Sequence, residues 1–281
     1  MRVVTATHAG ACYGVKRALD LANAAAGDGA PVCTLGPLIH NPKAVEELRS
    51  RGVSVAEGPD DVREGRVVLR SHGVTPDVAD ALVDRGFEVI DATCPHVARA
   101  QKAAASLARR GCWVIVVGEA GHPEVEGLTA YAAREGAQVT VVSDAADVPA
   151  HLEAPVGVVV QTTQKAEVLE AVTRAIEAQG IEPLVKNTIC SATSLRQEEA
   201  AELASAVDAM VVIGGRNSSN TTRLAELCRA TGARTFHIED AAELEGGWFE
   251  GLSTVGVTAG ASTPQSQIDE VVARLDSLTR S

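Results

Sequence analysis

Three cysteines in this sequence keep one distance to a second polar residue: Cys12, Cys94 and Cys190 stand 28 positions before His40, His122 and Ser218 respectively. A further polar position follows at His72, Thr162 and Ser262, with offsets of 60, 68 and 72 residues from the same cysteines. Each cysteine lies just before a stretch of helical pattern, starting at Gly14, Pro95 and near Ser194. A helix N-terminus carries partial positive charge and favours the thiolate, the form of cysteine that ligates metal. Three thiolates facing one axis suit zinc, copper or an iron-sulfur cluster. A 4Fe-4S cluster ordinarily takes four cysteines, so with three one iron stays open to substrate. The remaining cysteines read as small core residues: Cys33 and Cys112 sit in or beside strands, and Cys228 shares a helix face with Leu224 and Leu227. His8, His96, His151 and His237 have no counterpart in the repeat and read as surface or capping residues.

Six polar loops surround these positions: 38–42, 71–76, 121–127, 161–164, 217–220 and 258–264. They place histidines, hydroxyls and amides beside helix N-termini, which makes a phosphate cradle without a glycine-rich P-loop. Glu124 stands beside His122 in one of them. A carboxyl group in a dry pocket can hold a proton near neutral pH and deliver it, whereas Glu126 reads as an ordinary first-turn glutamate.

To converge, these loops must be carried by regular elements. Short β-branched runs, at 66–70, 113–117, 156–160 and 209–213, alternate with amphipathic stretches such as Val168, Leu169, Val172 and Ile176, or Ile268, Val271, Val272 and Leu275. Continuous apolar strands between helices imply parallel sheets covered on both faces. Pro42, Pro76 and Pro123 mark helix starts, where a missing N–H costs nothing. Each segment reads as cysteine, helix, strand, polar loop, helix, strand, strand, polar loop, helix and strand. The expected fold is therefore α/β: three similar lobes, 7–92, 93–188 and 189–281, each with a small parallel sheet, around a pseudo-threefold axis that holds the metal site. The third segment lacks its last strand, and residues 1–6 are expected to supply it.

The chain has 281 residues, 46% apolar, enough for a sizeable core, and a formal net charge of -12, which argues against nucleic-acid or anionic-membrane partners. Residues 1–17 form neither a signal peptide nor a spanning helix, so a cytoplasmic location and reduced thiols are expected.

Together the motifs resemble those of the 4-hydroxy-3-methylbut-2-enyl diphosphate reductase family, iron-sulfur enzymes of the last step of the methylerythritol phosphate route to isoprenoids. The resemblance spans essentially the whole chain. It rests on Cys12-Tyr-Gly-Val15, His40-Asn41, Ser71-His-Gly-Val74, Asp91-Ala-Thr-Cys-Pro95, Gly121-His-Pro-Glu-Val-Glu-Gly127, Gln161-Thr-Thr163, Asn187-Thr-Ile-Cys190, Arg196-Gln197, Asn217-Ser-Ser-Asn220 and Thr258-Ala-Gly-Ala-Ser262. Two positions depart from the family's habit: Ala11, where an aromatic is usual, and Gln265, where an acid is common.

The resemblance implies that Cys12, Cys94 and Cys190 hold a 4Fe-4S cluster whose fourth iron is open to substrate. It implies that His40, His72, His122, Ser218, Ser219, Asn220 and Ser262 bind the diphosphate of a small allylic substrate. Thr162 would orient the reacting hydroxyl and work with Glu124 and His122 as the catalytic set. An external one-electron donor such as ferredoxin or flavodoxin would supply two electrons in turn, and protonation at either end of the allyl anion would give isopentenyl and dimethylallyl diphosphate. Two rival readings keep the cysteines but place zinc there, or make the chain a redox sensor. A visible thiolate-to-iron charge-transfer band separates iron-sulfur from zinc, and a sensor calls for a nucleic-acid- or partner-binding module that this sequence does not display.

Overall fold

Alternation within single strands dictates the layering. In the computed structural model, which describes residues 1–27 and 29–278, the chain forms strands and helices in strict succession. The first run is β1 (Arg2–Thr5), α1 (Tyr13–Ala25), β2 (Val32–Leu35), α2 (Pro42–Ser50), β3 (Val53–Ala56), β4 (Arg66–Leu69), α3 (Pro76–Asp84) and β5 (Glu88–Asp91). The second is α4 (Pro95–Arg109), β6 (Trp113–Val117), α5 (Pro123–Arg134), β7 (Val139–Val142), β8 (Val156–Val160), α6 (Ala166–Glu177) and β9 (Leu184–Lys186). The third is α7 (Ser191–Ser205), β10 (Ala209–Ile213), α8 (Ser219–Ala230), β11 (Arg234–Ile238), β12 (Thr254–Ala259) and α9 (Gln265–Leu278).

Among the described residues all pairings are parallel, in three four-stranded sheets of order β3-β2-β4-β5, β7-β6-β8-β9 and β11-β10-β12-β1. Each sheet therefore repeats one pattern, and β1 takes the fourth place of the last, with Arg2 opposite Thr254 and Thr5 opposite Val257. The chain divides into two compact units, one of Met1–Lys16, Ile39–Glu47 and Ser191–Ser281, the other of Arg17–Leu38 and Leu48–Cys190. The first unit contains the sheet of β10, β11, β12 and β1, and the second contains the other two.

In β10, Met210 and Val212 pack with Ala200, Leu224 and Cys228 of α7 and α8, while Val211 and Ile213 pack with Ile268, Val271 and Leu275 of α9. In β6, Val114 and Val116 meet Leu107 and Leu128 of α4 and α5, and Ile115 and Val117 meet Val172 and Ile176 of α6. Successive side chains point to opposite faces, so a strand buried on both sides must be apolar at every position. The expected helix starts at Pro42, Pro76 and Pro123 hold. Two others shift: α1 begins at Tyr13 rather than Gly14, and α7 at Ser191 rather than near Ser194. For α1 the reason is that the carbonyl of Cys12 already accepts the first helical bond, from the N–H of Lys16 at 2.9 Å. Among the described residues no helix is long and apolar enough to cross a membrane.

The approach of α4 to its sheet depends on Gly157 in β8. A Cβ there would stand 2.9 Å from Cδ2 and 3.0 Å from Cβ of Leu107. Gly157→Ala is expected to lower the free energy of unfolding by about 1–3 kcal/mol through overpacking, measured by denaturant titration; an unchanged midpoint would show that α4 can draw back.

Candidate functional site

The same backbone bond holds each of the three cysteines. The N–H of Cys12 donates to the carbonyl of Ala261 at 3.0 Å, that of Cys94 to Ser71 at 2.9 Å, and that of Cys190 to Thr162 at 3.0 Å. Each acceptor lies in a polar loop after the third strand of a segment, and each cysteine stands directly before a helix, Cys94 being the N-cap of α4. All three side chains are half-buried, and none of the six cysteines is in a disulfide. Cys33, Cys112 and Cys228 are 8%, 2% and 0% exposed and belong to the core. Burial raises all three of these thiols, Cys228 to about 11, which keeps them protonated and inert.

In the second unit a continuous run of contacts links two of the ligand candidates. Ser71, which accepts the Cys94 amide, precedes His72, whose ring meets that of His122 edge to face at 5.7 Å. His122 caps α5, its Nδ1 accepting the N–H of Glu124 at 3.1 Å, so that in the neutral ring the proton sits on Nε2. Glu124 is 2% exposed; its Oε1 accepts the Thr162 N–H at 2.6 Å and its Oε2 the Thr162 hydroxyl at 2.9 Å. The carbonyl of Thr162 then accepts the Cys190 amide. Gly73, at φ 74°, shapes the loop that carries His72, and Arg70 donates from Nε to its carbonyl at 3.0 Å. Burial lowers the Arg70 guanidinium from its ordinary value, opposed by the charge of Glu126.

In the first unit the Ser262 hydroxyl donates to the carbonyl of His40 at 3.0 Å. A Cβ at Gly215 would stand 2.9 Å from that same carbonyl, so the chain after β10 and the chain around His40 lie against each other. Ser218 caps α8, its Oγ accepting the N–H of Thr221 at 3.4 Å, and Ser219 and Asn220 are buried in the first turn. Asn220 is 3% exposed, and neither its Oδ1 nor its Nδ2 has a hydrogen-bond partner in the structure. A buried amide with both ends unbonded, beside a helix N-terminus, fits a polar ligand with donors and acceptors of its own.

Some roles the sequence reading left out become visible. Asn41 caps α2 through Ala44 at 3.0 Å and bonds Gln267 at 3.1 Å, and Gln161 fixes the chain after β6 by accepting the N–H of Glu119 at 3.0 Å. Helix-capping geometry in the Asn41-Pro42 pair was the available signal. His237 is not a surface or capping residue: it lies half-buried in β11, its Nε2 2.9 Å from the Gly214 carbonyl, and burial, partly offset by that bond, lowers its basicity. His8 is exposed and contacts Glu199 at 3.0 Å, and His96 lies in the first turn of α4. Among the described residues no three His, Cys, Asp or Glu side chains stand close enough to hold a single metal ion. A cluster differs in that its sulfur ligands bind separate irons.

Residues 3–276 match the family model of the LytB protein. The chain is 48% identical over 282 residues to the 4-hydroxy-3-methylbut-2-enyl diphosphate reductase of Geobacter sp. (strain M21), covering 100% of this chain and 99% of that protein. It is 43% identical to the protein of the same name from Syntrophotalea carbinolica, with 100% of both covered. A solved structure of (E)-4-hydroxy-3-methyl-but-2-enyl diphosphate reductase, described as the terminal enzyme of the non-mevalonate pathway, is similar at TM-score 0.73 and 42% identity over 99% of this chain and 100% of that one. The fold is also that of the Plasmodium falciparum E-1-hydroxy-2-methyl-but-2-enyl-4-diphosphate reductase, at TM-score 0.90 and 23% identity over 97% of this chain and 87% of that one.

Because Asn220 gives up no protein hydrogen bond when replaced, Asn220→Ala is expected to leave unfolding stability within about 1 kcal/mol. Binding of inorganic diphosphate, read by calorimetry, is expected to weaken by about tenfold, or about 1.4 kcal/mol.

Proposed function

We propose, given that this chain belongs to the LytB family of 4-hydroxy-3-methylbut-2-enyl diphosphate reductases, that Glu124 and Thr162 are the proton-delivery pair of its reaction. That reaction is the reductive removal of the hydroxyl of 4-hydroxy-3-methylbut-2-enyl diphosphate to give isopentenyl and dimethylallyl diphosphate, the last step of the methylerythritol phosphate route. Two electrons and two protons enter, and the hydroxyl leaves as water.

The family is one of iron-sulfur oxidoreductases. Cys12, Cys94 and Cys190 would hold the cluster, as a 4Fe-4S centre with one iron left to substrate. The donor set fits: three half-buried cysteines, each directly before a helix, stand apart from three buried in the core. When bound, such a cluster supplies single electrons and a Lewis-acidic iron.

The buried Glu124–Thr162 pair supports the proposed role most directly. Glu124 is held in the interior by the two bonds from Thr162, and the one to the Thr162 hydroxyl is a direct path for a proton. When Glu124 is protonated, the bond at 2.9 Å can run the other way: its proton passes to Thr162 Oγ1 while the threonine proton passes to the departing hydroxyl. His122, whose Nδ1 is taken by the Glu124 amide, would donate from Nε2 to a diphosphate oxygen. His40, His72, Ser218, Ser219, Asn220 and Ser262 complete that set, with helix N-termini adding partial positive charge in a chain of net charge -12. The external electron donor would be a small one-electron carrier such as ferredoxin or flavodoxin.

Anaerobic purification with iron and sulfide analysis, followed by an assay with a strong reductant, tests the reading. Glu124→Gln is expected to retain iron and substrate binding and to lose turnover by about 10²-fold or more, the scale of a lost general acid. Turnover within a few-fold of the wild type refutes the proton-delivery role.

A further inference from the structure

Two arginines make bonds that the reaction above does not account for. Each sits on a helix that begins directly after one ligand cysteine, and each donates to main-chain carbonyls of the stretch of chain that enters another. On α1, Arg17 donates from Nη1 to the carbonyl of Thr93 and from Nη2 to that of Asp91, both at 3.2 Å, and Thr93 immediately precedes Cys94. On α7, the buried Arg196 donates from Nε to the carbonyl of His8 at 3.0 Å and from Nη2 to that of Gly10 at 2.9 Å. Its Nη1 bonds the Ala192 carbonyl of its own helix at 3.0 Å, which fixes the guanidinium. Glu199, about one turn on, accepts the N–H groups of Thr7 at 2.6 Å and His8 at 2.7 Å. Burial opposes its ionisation, but these bonds prevail and hold the carboxyl below its ordinary value.

A guanidinium presents its donors in a rigid planar fork, so bonding two carbonyls two residues apart sets both the place and the tilt of a loop. Loops without ladder bonds are otherwise the least constrained parts of a fold, while metal ligands work only when held to a fraction of an ångström. We propose that Arg17 and Arg196 are positioning residues for cluster ligation: Arg17 presets the chain entering Cys94, and Arg196, with Glu199, the chain entering Cys12, before iron arrives. The loop entering Cys190 is tied to its own sheet instead, Thr188 Oγ1 accepting the Val160 N–H at 3.1 Å and donating to the Val160 carbonyl. The proposal rests on the reading that Cys12, Cys94 and Cys190 hold the cluster.

The test uses Arg17→Met and Arg196→Met, unbranched and without donors, together with the corresponding lysine variants. Val172→Ala, a core change on α6, serves as the control for general destabilisation. After anaerobic reconstitution, iron and sulfide per chain, the rate of iron loss to a chelator, the electron paramagnetic resonance spectrum of the reduced protein and the denaturant midpoint are measured. Each methionine variant is expected to lose iron about tenfold faster or more, the usual scale for removing a group that orients a metal ligand, with an altered spectrum. Lysine is expected to restore part of the loss, since one ammonium cannot reproduce the fork, and Val172→Ala to keep the wild-type rate and spectrum.

Wild-type rates and spectra in both methionine variants, or equal iron loss in Val172→Ala, overturn the proposal. If Arg196→Met does not fold, Arg17→Met and Arg196→Lys carry the same comparison. Cys12→Ser and Cys94→Ser separate the two ideas. Full iron in the serine variants sinks the ligand assignment itself, whereas iron lost there but retained in the arginine variants sinks only the positioning role.

Discussion

A single backbone bond, made three times, governs how this chain presents its cysteines. The amide of each ligand candidate donates to a carbonyl in the loop after the third strand of a segment: Cys94 to Ser71, Cys190 to Thr162, Cys12 to Ala261. That bond ties the chain leaving one sheet to the loop that carries a polar residue, so sulfur and polar side chain are positioned by the same short stretch of backbone. Because the strands are parallel, every such loop lies at the carboxyl end of its sheet, where helix N-termini add partial positive charge.

The repetition also explains the role of the first residues. The other two sheets have four strands each, and the segment of β10, β11 and β12 leaves the place beside β12 to another part of the chain. β1 fills that place beside β12, and the same run continues into the loop of Cys12. Completion of the sheet and placement of Cys12 are therefore one structural event at this point, reinforced by Arg196 and Glu199 holding residues 7–10.

Chemistry divides the polar residues from the core by how each is satisfied. Cys33, Cys112 and Cys228 are surrounded by apolar atoms and kept protonated. Glu124 is equally buried but bonded twice by Thr162, and Asn220 is buried with its amide unbonded. A buried carboxyl and a buried amide without bonds are both costly to keep in an apolar interior, unlike the three core thiols.

Much of this was legible in the residues alone. The equal spacing from Cys12 to His40, Cys94 to His122 and Cys190 to Ser218 reports a repeated unit of helix, strand and loop, and the apolar runs of β6, β8 and β10 report strands covered on both faces, because period and burial are local properties of a chain. The separation of Cys33, Cys112 and Cys228 from the other cysteines followed from their apolar neighbours for the same reason. Other features were decided only by tertiary structure. That Glu124 meets Thr162, 38 positions away, that Arg196 reaches back to His8 and Gly10, and that His237 turns inward to Gly214 depend on which strands become neighbours. Such contacts join residues far apart in the chain, and no local pattern of side chains encodes the direction in which a loop finally turns.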